Sequence, residues 1–228
     1  MKKNLLLTTL FAAFVSLVNA GEINKALDPF TTVVVTGNYK VTMIESTEEK
    51  VVVVNTDENI TDDKILITVE GGTLDIKIKG DTYKERLMDV TIYYKKVNQI
   101  DARRGARVTV SNLMKGDVIT FNCSTGGQVK AQIEAGTAKL KIANDGLINV
   151  TGTATIAEME VSTGGTLVAT QLITESASAK VSAGGSIKVY ASKKVTVTVF
   201  SGGSITYYGN PATVEESIKV GGTIEKGK

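Results

Sequence analysis

A short glycine-containing turn recurs through the second half of the chain, at steps of 18 to 22 residues. Its fullest copies are Ser124–Gly127, Ser162–Gly165 and Ser182–Gly185, and all copies align when the turns are placed at positions 104, 126, 145, 164, 184, 202 and 221. Glycine at a fixed point of each unit predicts a sharp corner with a positive φ angle, which a Cβ atom disfavours. A repeat of about 19 residues is typical of a solenoid, in which each unit forms one coil.

Apolar residues alternate with polar ones between these turns. The third residue after the first position of each turn is apolar: Val129, Ile148, Leu167, Ile187, Ile205 and Ile224. A second apolar set fills the other half of each unit: Ala138, Leu140, Ile142, Ala157, Met159, Val161, Ala177, Ala179, Val181, Val195, Val197 and Val199. A period of two predicts half-buried strands. We therefore predict an all-β protein whose C-terminal half is a right-handed parallel β-helix, or β-solenoid, with coils of about 19 residues. The alternative is an antiparallel β-sandwich, because its turns also recur regularly.

The chain divides into three regions. Residues 1–20 combine Lys2 and Lys3 with an apolar run and small residues at Val18 and Ala20, which predicts a secretory signal peptide. Residues 21–103 alternate like strands but lack the regular glycine turns, so we predict a β region that starts or caps the solenoid. Within it, Val33–Thr36 and Lys40–Ile44 flank Gly37-Asn38 and are interpreted as a hairpin. Residues 104–228 carry the repeats.

Composition excludes several classes of active site. The chain has no histidine and a single cysteine, Cys123, so it cannot build a Ser-His-Asp triad, a Cys-His pair or an ordinary zinc site. The acidic stretch 57–63 lacks the glycine and the closing glutamate of a calcium loop. The carboxylates of the repeats fall at different offsets from the turns: Glu134, Asp145, Glu158, Glu160 and Glu175. We therefore predict no catalytic residues, no cofactor and no metal site.

The net charge and the hydropathy of the chain argue against a nucleic-acid partner and against a second membrane-spanning segment. Without Lys2 and Lys3 the chain has equal numbers of acidic and basic residues, so we predict no nucleic-acid partner. The cluster Arg103, Arg104 and Arg107 is then interpreted as a local salt-bridging surface. No second apolar stretch approaches the roughly 20 residues of a membrane-spanning helix, so we predict no transmembrane segment after the signal peptide.

The order of these motifs resembles a known family. The signal peptide is followed by segments 30–44, 51–59 and 71–78, and then by the string of Gly-Gly coils. This arrangement is similar to the auto-transporter adhesin, head GIN domain family of proteins secreted by Gram-negative bacteria. The resemblance implies a β-solenoid at or near the cell surface with an adhesin-like role. It brings no established ligand and no catalytic residues.

The hypothesis for function is an exported, non-enzymatic adhesin that binds a cell-surface glycan or protein through an extended face. Two tyrosine pairs in alternating strands each place one ring outside, where it can contact a partner: Tyr93, Tyr94, Tyr207 and Tyr208. A column of polar residues offers a second contact ladder: Gln128, Thr166, Ser186, Ser204 and Thr223. The alternatives are a polysaccharide lyase or hydrolase built on a β-helix, and a periplasmic structural or envelope-sensing module. A homo-oligomer is also possible, and the location is the cell surface, the extracellular space or the periplasm, in association with the outer membrane.

Overall fold

Alternation of apolar and polar residues produces strands along nearly the whole described chain. A computed structural model of the protein describes residues 22–80 and 84–228, so the predicted signal peptide lies outside the described residues. The strands are β1 Glu22–Ala26, β2 Thr32–Thr36, β3 Lys40–Glu45, β4 Lys50–Asn55, β5 Ile65–Glu70, β6 Thr73–Ile78, β7 Met88–Tyr94, β8 Gln99–Arg103, β9 Arg107–Ser124, β10 Gln128–Asn144, β11 Leu147–Thr163, β12 Thr166–Ala183, β13 Ser186–Tyr190, β14 Lys194–Tyr208 and β15 Thr213–Lys226. A short 3-10 helix, Asp62–Lys64, precedes β5.

Two sheets face each other across one apolar core. Sheet 1 has the strand order β1-β4-β7-β3-β9-β10-β11-β12-β13-β14-β15. Sheet 2 has the order β5-β6-β2-β8-β9-β10-β11-β12-β14-β15. The long strands β9 to β12, β14 and β15 bend and contribute to both sheets. Neighbouring strands are parallel from β6 and β7 onward, so the chain winds as a solenoid.

The register of the coils follows the sequence repeat. Val129 pairs with Ile148, Ile148 with Leu167, and the column continues through Ile187, Ile205 and Ile224. In sheet 2, Ala138, Ala157, Ala177 and Val195 form an equivalent column. The inward side chains of both columns are buried as far as Ile205, and each β-branched residue stacks on its counterpart. The prediction of a parallel β-solenoid is confirmed, and the antiparallel sandwich is wrong for the repeats.

The glycine turns stack along one corner of the solenoid. In three of them the first left-handed residue is not glycine: Arg104, Thr125 and Asp145 have φ angles of 55°, 53° and 54°. The repeat alignment that sets Gly126 beside Asp145 is confirmed by the pairing of Gln128 with Leu147, and the left-handed backbone of this turn begins one residue earlier, at Thr125. Sequence alone favoured glycine there, since it accepts positive φ without strain.

The N-terminal strands interleave with the solenoid, and the predicted hairpin of β2 with β3 is wrong. β2 pairs in parallel with β6 and β8, while β3 pairs in parallel with β7 and β9. Gly37, with φ 130°, donates its backbone N–H to the carbonyl of Arg103, so Gly37-Asn38 is a solenoid corner. The strands avoid the hairpin because β2 and β3 both have apolar side chains that need burial. As two sides of one coil, they bury these side chains in the core of the solenoid.

The two ends of the solenoid differ. At the N-terminal end, antiparallel β5 covers the edge of β6 in sheet 2, and antiparallel β4 covers β7 in sheet 1 with β1 added outside it. At the C-terminal end, β15 pairs with β14 on one side, and no other described strand pairs with it. Solenoid ends expose unpaired backbone groups, so this is an open edge.

Candidate binding surface

On the outer face of sheet 2, lysines and glutamates of neighbouring coils form ion pairs. Lys141 lies 3.3 Å from Glu160, which also lies 4.0 Å from Lys180 of the next coil. Lys139 with Glu158, and Lys194 with Glu215, form further pairs at 3.9 and 2.8 Å. These pairs join neighbouring coils, because the parallel register places opposite charges side by side. The pairs are half-exposed, so they contribute little to stability, and they leave few unpaired charges to attract a charged partner.

The outer face of sheet 1 carries many uncharged polar side chains together with several lysines and Arg107. Its outward side chains form stacked ladders of hydroxyls and amides, which include Thr42, Thr109, Gln128, Asn149, Thr166, Ser186 and Ser204. The hydroxyls of Ser186 and Ser204 are 3.2 Å apart and hydrogen-bonded. A depression of about 350 Å³ opens on this face between Lys40, Arg107, Lys130 and Asn149. The hydroxyl and amide groups donate and accept hydrogen bonds, and three cationic side chains, Lys40, Arg107 and Lys130, border the depression.

Each predicted tyrosine pair has one ring inside and one ring outside. Tyr94 and Tyr207 are buried, with 3% and 7% of their surface exposed, while Tyr93 and Tyr208 are partly exposed on the outer face of sheet 1. The Lys50 ammonium lies 4.8 Å from the centre of the Tyr93 ring. The Asn112 amide donates to the Tyr94 hydroxyl at 2.9 Å. Burial raises the pKa of Tyr94, and burial together with the Glu216 carboxylate raises that of Tyr207.

A further tyrosine on this face was missed by the sequence analysis. Tyr190 pairs with Tyr208 in the parallel register of β13 and β14, and it is also partly exposed. Its outward orientation could have been predicted, because Ile187 and Val189 are buried and neighbouring residues of a strand face opposite sides. Tyr93 lies on β7, seven strand steps from Tyr208 on β14, or roughly 33 Å at about 4.8 Å per step. The exposed rings therefore stand near both ends of one face.

The candidate carboxylates do not converge on a cleft. Glu134 pairs with Lys115 at 2.9 Å, and Glu175 pairs with Lys193 at 2.8 Å. Asp145 accepts a hydrogen bond from the backbone N–H of Gly146 within its own turn. Glu158 and Glu160 share the outer face of sheet 2, where each is paired with lysine. All five side chains thus serve surface pairs or a turn.

The remaining candidate groups have structural partners. Asp57 is buried, accepts hydrogen bonds from Asn59 and lies 3.6 Å from Arg86. The hydrogen bond from the Asn59 backbone is the main cause that lowers the pKa of Asp57. Arg103 pairs with Asp101 at 2.7 Å, and Arg107 pairs with Glu85 at 2.8 Å, as expected for a salt-bridging surface. Among residues 22–80 and 84–228, no group of three or more acidic, histidine or cysteine side chains is arranged to hold a metal ion.

Cys123 is a core residue. It is 1% exposed, and burial raises the pKa of its thiol to about 12, with a smaller contribution from Asp101. At neutral pH the thiol is therefore protonated, and a protonated buried thiol is a poor nucleophile. The described part of the chain also contains no helix that is long and apolar enough to cross a membrane.

Fold and surface together define a class: a β-solenoid with one long face that is rich in polar side chains. The chain matches the family described as "Putative auto-transporter adhesin, head GIN domain" over residues 29–211. It belongs to that family, which confirms the resemblance seen in the sequence. No curated protein matches the sequence significantly.

Solved structures share this fold. A putative adhesin from Bacteroides fragilis NCTC 9343 is 23% identical with a TM-score of 0.80, over 90% of this chain and 95% of the other. A putative adhesin from Parabacteroides distasonis ATCC 8503 is 20% identical with a TM-score of 0.75, over 90% and 96%. A putative lipid binding protein from the same strain is 21% identical with a TM-score of 0.71, over 92% and 98%. At these identities the likeness concerns the fold.

Proposed function

We propose that this protein is an exported, non-enzymatic adhesin that binds a cell-surface glycan through the outer face of sheet 1. The observation that carries the proposal is the combination, on one face, of stacked neutral hydrogen-bonding groups with outward tyrosines at Tyr93, Tyr190 and Tyr208. Sugars present hydroxyls and weakly apolar ring faces, and both find complementary groups there. A protein partner is the alternative that the same assay distinguishes.

The length of the face favours binding by many weak contacts. The ladder repeats every strand, at about 4.8 Å, so a linear polymer can make the same contact on several coils. The depression on this face has a volume of about 350 Å³ and is open to solvent. We therefore expect the affinity to rise with the length of an oligosaccharide, as repeated weak contacts add.

The proposal that the protein is non-enzymatic is supported by the arrangement of its carboxylates. A retaining glycosidase needs two carboxyl groups about 5–5.5 Å apart and free to react. Glu158 and Glu160 are the only pair of the five candidates that share a strand face, and lysines already bind both. The proposed location is the cell surface, because the family is one of adhesins and the N-terminus reads as a signal peptide.

A glycan array tests the proposal. The purified protein is applied to an array of bacterial and host glycans in parallel with intact host cells, and the bound oligosaccharides are re-examined by mass spectrometry. Binding that grows with chain length and leaves the glycans intact is the expected result. Cell binding that survives complete enzymatic deglycosylation would assign a protein partner instead, and cleaved glycans would refute the non-enzymatic role.

A further inference from the structure

Apolar side chains are exposed at the open C-terminal edge. In β15, Val214, Ile218 and Val220 are 42%, 50% and 83% exposed. Phe200 on the neighbouring strand β14 is also partly exposed, but it lies on the outer face of sheet 2, with the Lys180 ammonium 5.1 Å from its ring centre. The residues below the inner column of β15, among them Val195 and Val199, are fully buried. The last coil therefore repeats the inward apolar positions of the core but, in the described chain, has nothing stacked on top of it.

Charges along β15 are arranged so that the strand complements itself when reversed. Glu215 and Lys219 lie two positions on either side of Ser217. In an antiparallel pair of identical strands centred on Ser217, each Glu215 stands opposite Lys219 of the second copy. The same register places Glu216 opposite Ile218 of the second copy. Opposite charges directly across an antiparallel pair stabilise it, whereas like charges destabilise it.

We propose that two copies of this protein associate through this edge, with β15 of each pairing antiparallel about a twofold axis at Ser217. Such a contact is isologous, so it closes at a dimer and does not continue into a fibre. It extends both sheets across the axis and covers Val214 and Ile218. The N-terminal end offers no equivalent edge of the repeat, because β1, β4 and β5 cover it with antiparallel strands.

Glu216 limits the strength of the association. It occupies the inner column next to Val197, where its side chain interacts with the Tyr207 hydroxyl. In the dimer its carboxylate would be drawn away from water, which is costly for a charged group. The contact is also confined to the last coil of each copy, whereas a standard interface buries about 800 Å² per partner. We therefore expect a reversible dimer.

A cysteine on the twofold axis tests the register. Ser217→Cys places two thiols directly opposite each other, at a Cα separation of about 4.5–5.5 Å that a disulfide accepts. Ser178→Cys, on the outer face of sheet 2 away from the edge, is the matched control, and the buried Cys123 adds little background. After mild oxidation the S217C protein should run as a covalent dimer and S178C as a monomer. Equal cross-linking of the two variants would overturn the proposal.

Sedimentation of the reduced proteins, from about 1 to about 200 µM, tests the charges independently of the thiols. Lys219→Glu sets two acidic groups opposite each other at both ends of the pair, so the dimer should weaken by about tenfold or more. Glu216→Gln removes the inward charge and should tighten it. A wild type that stays monomeric throughout this range, or a dimer that K219E leaves unchanged, would refute the assignment.

Discussion

Two adjacent glycines in one turn should respond very differently to the same substitution. Gly184 and Gly185 have φ angles of 76° and 91°, so alanine is strained at both. A Cβ atom at Gly184 meets nothing within 4 Å. A Cβ atom at Gly185 would lie 2.6 Å from Val161 Cγ1 and 2.9 Å from the Gly165 carbonyl oxygen of the coil below. The stacking of coils, rather than the turn itself, requires the second glycine.

The expected magnitudes follow from these contacts. Gly184→Ala costs only the left-handed backbone, about 1–2 kcal/mol of the free energy of unfolding. Arg104, Thr125 and Asp145 already occupy left-handed positions in sister turns, which shows that the fold tolerates side chains there. Gly185→Ala adds displacement of a backbone carbonyl and of a core valine, about 1–3 kcal/mol more. The two variants should therefore differ by about 2 kcal/mol.

Urea unfolding followed by circular dichroism measures this difference. The midpoints of wild type, G184A and G185A are compared at equal slopes, since a changed slope would signal a changed unfolded or native state. Gly184→Asn serves as a second control because asparagine tolerates the left-handed region. If G185A proves no less stable than G184A, the close stacking of the turns is wrong.

Three further predictions concern single side chains. Burial raises the pKa of Cys123 to about 12, so the folded protein binds the thiol proton more tightly than the unfolded chain does. The protonated thiol therefore contributes its full share to the free energy of unfolding below about pH 9, and this share is lost as the pH rises towards 12. Cys123→Ala should reduce the alkaline loss of stability by about 1 kcal/mol per pH unit in urea titrations. Glu160→Gln should change the free energy of unfolding by less than about 1 kcal/mol, because its lysine pairs are half-exposed; a larger change in the urea midpoint would contradict this. Tyr190→Ala should weaken glycan binding by about tenfold in surface plasmon resonance, whereas removal of the Phe200 ring on sheet 2 should leave binding unchanged.

The repeat half of the fold was predictable because two independent patterns agree: the two-residue alternation of apolar side chains and the spacing of about 19 residues between glycine turns. Period-two alternation identifies inward residues such as Leu140 and Val197, and the glycine turns fix how far the chain advances per coil. Each alone is ambiguous between a sandwich and a solenoid, since both contain strands joined by turns. Together they place Val129 over Ile148 and Ile148 over Leu167, as the structure confirms.

The N-terminal interleaving was not predictable in this way. β2 and β3 pair with strands 41 to 67 residues further along the chain, and no glycine repeat marks the register. Gly37-Asn38 reads locally as a hairpin turn, because the same residues suit both a hairpin and a solenoid corner. The burial of Val33 and Met43 by strands distant in the sequence favours the solenoid corner over the hairpin. The residues around Gly37-Asn38 do not indicate which distant strands will pair with β2 and β3.

The candidate surface was predictable only in part. Alternation correctly separates Tyr93 from Tyr94 and Tyr208 from Tyr207, since neighbouring residues face opposite sides of a strand. It does not reveal that both outward rings belong to sheet 1, or that Tyr190 lies beside Tyr208. The self-neutralising pairs of sheet 2 likewise depend on register between coils, which places Lys141 beside Glu160.

Blocking each face in turn tests the central claim most directly. Asn149→Arg puts a long charged side chain at the middle of the sheet 1 outer face, and Ser178→Arg puts the same side chain at the middle of the sheet 2 outer face. Both variants introduce the same side chain and one positive charge, at a partly exposed position in sheet 1 and at an exposed position in sheet 2. Titrated against the glycan that the array identifies, N149R should lose binding while S178R retains the wild-type affinity. Loss of binding in S178R alone, or unchanged binding in N149R, would contradict recognition through sheet 1.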